Sequence, residues 1–290
     1  MAERFATTTA QDPGISHTPL LRGYGQRTMM YEFFAKTDRG LARGNNEDSV
    51  VLDAACGLVV LADGMGGYNA GEVASGMATD SLRSELGRWL SGPGVRASAR
   101  EVRHMMELCV DAVNESILES AQKHADYAGM GTTLVVGVFQ KDGRLVLGHI
   151  GDSRCYRWRG GHLQQATRDH SLLQEQLDAG LITLEQAAVS TSRNLVTRAL
   201  GVERGVQLEI NEYKVAAGDV YLMCSDGLSD MVGDDAIASI LQRGGTLASL
   251  ADALVDAANA GGGRDNISVL LVQVGGDARK RGFLSRLMGA

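Results

Sequence analysis

Between about residue 31 and residue 275 the chain alternates short apolar runs with longer stretches in which apolar residues recur every three or four positions. Runs of strand length, rich in Val, Leu and Ile and bounded by Gly or Asp, fall at 49–52, 57–62, 132–139, 145–150, 154–158, 206–213, 220–224 and 267–274. The runs at 132–139 and 145–150 are joined by Gln140-Lys141-Asp142-Gly143-Arg144, whose Asp-Gly predicts a hairpin. Gly160-Gly161 after the run at 154–158 predicts a second turn. Helical spacing covers 70–90, 97–123, 171–179, 234–242 and 246–259; in the second of these Val102, Met105, Met106, Cys109, Val110, Val113, Ile117 and Leu118 form one apolar stripe. The order is not strict strand–helix alternation. It predicts antiparallel sheets with helices packed outside them, an α+β domain spanning 31–275. Residues 1–30 show no period and read as a flexible arm. Residues 276–290 read as a short basic amphipathic tail.

Composition narrows the class. The chain has 290 residues, 44% hydrophobic and 22% charged, enough for a sizeable core and against disorder of the whole chain. A net charge of -7 argues against a nucleic-acid binder, which needs a basic face. No stretch of about 18 apolar residues occurs, so no membrane span is expected, and Met1–Gln11 does not read as a secretory leader. Cys56, Cys109, Cys155 and Cys224 are widely spaced, as expected of reduced thiols in a cytoplasmic protein. There are 37 glycines but 3 prolines, so many turns must be made by Gly.

The candidate chemistry lies in where the aspartates fall. The run 58–62 leads into Asp63-Gly64, the run 145–150 into Gly151-Asp152, and the run 220–224, after Ser225, into Asp226-Gly227; Asp265-Asn266 directly precedes the run 267–274. Arg43-Gly44-Asn45-Asn46-Glu47-Asp48 adds a cation and two acids before the first run. Taken singly, an Asp-Gly is a turn. Several carboxylates gathered at one sheet edge would repel one another unless divalent cations sat between them. An all-oxygen set selects hard ions, Mg²⁺ or Mn²⁺, over Zn²⁺. His149, inside an apolar run, reads as a structural histidine, and His170 as a capping or packing residue. Gly64-Met65-Gly66-Gly67 lacks the register and the Gly-Lys of a nucleotide loop. Neither a Gly-x-Ser-x-Gly elbow nor a Cys-x5-Arg loop is present.

The ordered blocks Thr37–Asp48, Ala62-Asp63-Gly64-Met65-Gly66-Gly67, Gly129-Met130-Gly131-Thr132-Thr133, Gly151-Asp152-Ser153-Arg154, Thr167-Arg168-Asp169-His170-Ser171, Ser225-Asp226-Gly227-Leu228 and Gly263-Arg264-Asp265-Asn266 resemble the metal-dependent type 2C serine/threonine phosphatases in their compact bacterial form. The resemblance covers about residues 33–274. It implies two antiparallel sheets packed as a central sandwich with helices on both outer faces. It further implies a phosphatase that hydrolyses phosphoserine and phosphothreonine with a metal-activated water, opposing a Ser/Thr protein kinase. In that reading Asp63 bridges two Mn²⁺ or Mg²⁺ ions and the Gly64 carbonyl binds one. Asp226 and Asp265 hold the first ion, and Glu47 and Asp48 the second. Asp152, with Asp226, holds a third, weaker ion, and Arg43 grips the phosphate. Many members carry a His two residues after the bridging Asp; Met65 stands there in this chain. The stretch 169–200 matches the flap of bacterial members but lacks the His-Pro often found in its middle. A monomer acting on phosphorylated proteins is expected. The alternatives are a phosphatase dedicated to one regulator and a non-catalytic phosphate-binding relative.

Overall fold

The computed structural model describes residues 28–67, 70–188 and 195–276. Along the chain come β1 (Tyr31–Asp38), β2 (Asp48–Asp53), β3 (Leu58–Met65) and α1 (Ala70–Leu82), which runs through a π turn at Arg83–Gly87 into α2 (Arg88–Ser91). Next are α3 (Ala99–Lys123), β4 (Gly131–Thr132), β5 (Leu134–Phe139), β6 (Arg144–Ile150), β7 (Arg154–Arg159) and β8 (His162–Gln165). The chain continues with α4 (Leu172–Asp178), α5 (Leu184–Ala188), β9 (Glu209–Lys214), β10 (Val220–Cys224), α6 (Asp226–Ser229), α7 (Asp234–Gln242), α8 (Leu247–Ala260) and β11 (Ile267–Val274).

Two antiparallel sheets form, one in the order β1-β11-β10-β7-β8 and the other β2-β3-β5-β6-β9 with β4 on β3. Their inner strands, such as β3, β5, β10 and β11, are apolar on both faces because both faces are covered, and the period of two sorts the side chains. On β3, Val59 and Leu61 point between the sheets while Leu58, Val60 and Ala62 meet α1 and α3. On β11, Leu270 and Val272 point between the sheets while Val269 and Leu271 meet the outer layer with Leu250 and Leu254 of α8. The result is the four-layer sandwich expected. The helices form where the apolar stripe and the caps agree. Ser98 starts α3 with a capping box: its Oγ accepts from Glu101 N at 3.3 Å, and its own N–H donates to Glu101 Oε2 at 2.7 Å.

Four expectations need correction. The run 206–213 becomes strand only from Glu209. The helix expected over 70–90 contains a π turn, and Gly87 there lies against Leu58. β1 and β8 were not expected. β1 is an edge strand whose Tyr31, Phe33 and Ala35 are only half-buried, so no closed apolar run marks it. β8, His-Leu-Gln-Gln, is a polar edge strand completing the hairpin with Gly160 and Gly161 at positive φ. The arm at 1–30, apart from its last residues, the tail at 276–290, apart from Gly276, and the flap middle at 189–194 lie outside the described residues.

Candidate active site

The acids lie on two connections between the sheets and at the ends of β2, β3, β10 and β11. The β1–β2 connection holds Arg43 and Glu47, and the β6–β7 connection holds Asp152. Asp226 follows β10 and Asp265 precedes β11, its antiparallel neighbour. Asp48 faces Asp63 directly across β2 and β3.

Glycine makes the close approach possible at two of these places, Gly64 in β3 and Gly227 in α6. A Cβ on Gly64 would lie 2.1 Å from the Gly71 carbonyl oxygen and 2.6 Å from that of Glu47. A Cβ on Gly227 would lie 1.9 Å from the Asn266 carbonyl oxygen. Any side chain after Asp63 or Asp226 would therefore push apart the segments that bring the other acids in.

The structure gathers Asp48, Asp63, Asp152, Asp226 and Asp265 into one group whose charges act on one another, and sets Glu47 near Arg43. Asp48 and Asp152 are buried, at 9% and 8% exposure, and Asp63, Asp226 and Asp265 are partly buried. Among the described residues none of Asp48, Asp63, Asp152 and Asp226 forms an ion pair. Asp48 Oδ2 accepts from Ser225 Oγ at 2.8 Å, while its buried Oδ1 has no hydrogen-bond partner among the described residues. Burial, aided by the charge on Asp265, pushes the Asp48 carboxyl up to about 6. Burial and the charge on Asp169 push Asp152 up to about 6. Asp63 and Asp226 are held well above the usual carboxylate range, by burial first and then by acidic neighbours, Asp48 and Asp226 for Asp63 and Asp152 and Asp265 for Asp226.

An orphaned buried carboxylate oxygen in a set of like charges is the arrangement a divalent cation relieves. The donors are carboxylates with the Gly64 carbonyl nearby, so the residues fit Mg²⁺ or Mn²⁺. A cavity of 260 Å³ runs from Asp226 and Asp152 to Arg154, Asp169 and Ser171.

Arg43 reaches the cluster from outside. Its Nη2 donates to Asp265 Oδ2 at 2.6 Å while its side chain stays 51% exposed. Sequence reasoning gave it a phosphate and missed this carboxylate.

Three positioning groups were also missed. Asn266 is buried; its Oδ1 accepts from Glu47 N at 2.8 Å, and its Nδ2 donates to the Asn45 carbonyl at 2.9 Å and the Arg39 carbonyl at 3.0 Å. It therefore fixes the loop that carries Arg43. Thr133 Oγ1 accepts from Asp63 N at 3.1 Å and pairs with Ser153 Oγ at 2.7 Å. Ser225 joins Asp48 to β11 by accepting from Ser268 N at 2.9 Å. Asn266 and Ser225 adjoin Asp265 and Asp226 in the sequence, and that adjacency was the available signal; Thr133 has no acid beside it in the sequence. His170 does not cap α4: Ser171 does, its side chain accepting from Gln174 N at 3.3 Å. Met65 follows Gly64 on β3, opposite Gly131.

The comparisons with known proteins agree with this geometry. Residues 42–260 match the family model described as protein phosphatase 2C. The serine/threonine protein phosphatase PstP of Mycobacterium tuberculosis is 42% identical over 248 residues, which is 85% of this chain but 46% of that one, so the chain spans about half its length. The serine/threonine phosphatase stp of Listeria monocytogenes is 38% identical over 241 residues, 82% of this chain and 94% of that one. The crystal structure of the catalytic domain of PstP in complex with two manganese ions superposes with a TM-score of 0.75 at 39% identity, covering 86% of this chain and all of that domain. By the family model and these relatives, the chain belongs to the protein phosphatase 2C family.

Proposed function

We propose that the protein is a metal-dependent protein serine/threonine phosphatase that opposes a Ser/Thr protein kinase, acting as a cytoplasmic monomer. The observation that carries this reading is the group of uncompensated carboxylates at the sheet edge, with Asp48 Oδ1 buried and unpartnered. Asp63, Asp48, Glu47, Asp226 and Asp265, with the Gly64 carbonyl, would hold two Mn²⁺ or Mg²⁺ ions, and Asp152 with Asp226 a third, weaker one. Bound divalent cations supply Lewis-acid charge and make a water acidic enough to attack phosphorus near neutral pH.

The chain's own groups do the rest. Arg43 is charged at all relevant pH, and its contact with Asp265 strengthens its hold on the proton. On substrate binding its planar guanidinium turns from Asp265 to the phosphate oxygens, to which it can donate two parallel hydrogen bonds. Asn266 holds the loop so that Arg43 swings from a fixed base. Met65 carries no ionisable proton, so the leaving oxygen takes its proton from solvent ordered near Asp152 and Asp226. A covalent phosphocysteine is disfavoured: Cys224, the thiol nearest Asp226 in sequence, is fully buried, and burial pushes it up to about 12.

The test is turnover of a phosphoserine or phosphothreonine peptide with and without chelator. EDTA abolishes it and Mn²⁺ or Mg²⁺ restores it; retention of metal and phosphate binding without turnover would instead favour a non-catalytic relative.

A further inference from the structure

Behind Asp152 lies a buried group that the reaction does not use. His149 on β6 and His170 are 1% and 6% exposed, and their rings stack with centroids 4.6 Å apart and planes 15° from parallel. Glu209 on β9 lies 3.4 Å from His170 Nε2. Partners fix the protons. The Arg168 carbonyl can only accept, so His149 Nε2, 2.7 Å away, carries a hydrogen. The Gly151 N–H can only donate, so His170 Nδ1, at 3.2 Å, is bare and Nε2 carries the hydrogen toward Glu209. Burial and the neighbouring His149 hold His170 below its ordinary value, which keeps Nδ1 free at neutral pH. Rings so nearly parallel do not aim their in-plane lone pairs at one point, so the trio is not arranged as a cation cage.

The contact with Gly151 is reciprocal: His170 N donates to the Gly151 carbonyl at 2.9 Å. Gly151 has φ +99°, is pressed against Thr133, and immediately precedes Asp152. His170 also anchors both ends of the segment 171–196. Its carbonyl accepts from Thr197 N at 2.8 Å, Ser171 bridges to Val196, and Leu172 N donates to the Leu195 carbonyl at 2.9 Å.

We propose that His170 is a positioning residue: held by Glu209 and stacked on His149, it fixes the Gly151 N–H, thereby sets Asp152, and couples Asp152 to the base of the segment 171–196. The proposal rests on the assignment of Asp152 to the site made above.

The test uses the full chain with His170→Phe, His170→Asn, Glu209→Leu, Asp152→Ala and the double variant His170→Phe/Asp152→Ala. The readouts are kcat and KM on a phosphopeptide with saturating Mn²⁺, and hydrogen exchange of the Gly151 amide without metal. Phe keeps the stack and loses the acceptor; Asn places an oxygen where Nδ1 stood. His170→Phe is expected to lower kcat by about tenfold with KM within about twofold, and to speed Gly151 exchange by about tenfold. His170→Asn brings both back to within about threefold of the unmodified protein. Glu209→Leu leaves the ring but frees its tautomer, and shows a smaller change in the same direction. The double variant is no slower than Asp152→Ala alone, because the two residues act through one group. Unmodified kcat in Asp152→Ala would show that the assignment of Asp152 fails, and the coupling with it. Impaired Asp152→Ala beside unimpaired His170→Phe, or His170→Asn as slow as His170→Phe, would overturn the coupling alone. If His170→Phe fails to fold, Gly151 exchange in Glu209→Leu decides, and an unchanged rate overturns the proposal.

Discussion

Two sets of aspartates sit in this fold under opposite electrostatic conditions. Asp219, 1% exposed at the side chain, receives both Arg159 Nε and Nη2 at 2.6 Å and also accepts from Ala216 N at 2.7 Å. Asp169 is gripped by Arg154, whose Nη2 lies 2.6 Å from Oδ2 and whose Nη1 donates to Tyr156 Oη at 2.9 Å. Asp48, Asp63, Asp152 and Asp226 are comparably enclosed and have no cation of the chain at ion-pair distance among the described residues. The first set is complete as folded and ties strands and connections together. The second is stable as an anionic group only with charge from outside. A buried carboxylate that the chain leaves without a cation therefore marks a place where a cation is recruited.

The contrast breaks most sharply on mutation. Asp63→Asn or Asp226→Asn lowers kcat by at least about a hundredfold, because transition-state charge stabilisation worth several kcal/mol is lost. It leaves the metal-free fold at least as stable, since a repelled charge is removed. Asp219→Asn does the reverse: kcat holds within about twofold, while stability falls by about 2 kcal/mol as a charged hydrogen-bond pair is weakened. Steady-state kinetics beside urea denaturation separates the two outcomes. Equal stability losses in both sets would erase the distinction.

Next in size is Arg43, which belongs to both conditions, paired with Asp265 yet half exposed. Arg43→Ala raises KM by about tenfold, equivalent to ~1.4 kcal/mol of phosphate binding. A fall in kcat as well would place its contact in the transition state; unchanged kinetics would remove Arg43 from the site.

The smallest effect is the response of stability to pH. Asp48 and Asp152 titrate near 6 in the fold, above the ordinary value of about 3.9. The metal-free fold therefore binds more protons than the unfolded chain between those values. The stability this confers is present below about pH 4 and is lost as pH rises through about 6. In EDTA, Tm should fall by a few degrees, order of magnitude, between pH 5 and pH 7, and Mn²⁺ at pH 7 should restore it. A metal-free Tm that rises over that interval would contradict the assignment. Asp219→Asn should leave this slope unchanged.

What could be read in the sequence followed from how each element is made. β10 and β11 were delimited residue for residue, since their largely apolar runs end at Ser225-Asp226 and begin after Asp265-Asn266. α7 was equally plain, with Asp234 and Asp235 in its first turn. β1 was not, because an edge strand buried only in part carries Glu32, Lys36 and Thr37 among its aromatics. The acids were legible because strand ends position them. Asn266, Ser225 and Thr133 were not given roles, because their partners are groups, several of them backbone, brought near only by the fold. Hydrogen bonds to such groups leave no spacing in the sequence. The Arg43–Asp265 pair was hidden for the same reason, its members standing 222 residues apart in the sequence.

The most direct test of the account is a Mn²⁺ titration of chelator-treated protein, following phosphopeptide turnover and Tm on the same samples at pH 7. The account predicts no turnover before addition, and turnover and Tm rising together as the carboxylates fill, with Asp219→Asn behaving like the unmodified chain and Asp63→Asn showing neither rise. Full turnover after exhaustive dialysis against EDTA, or a Tm indifferent to Mn²⁺, would contradict it.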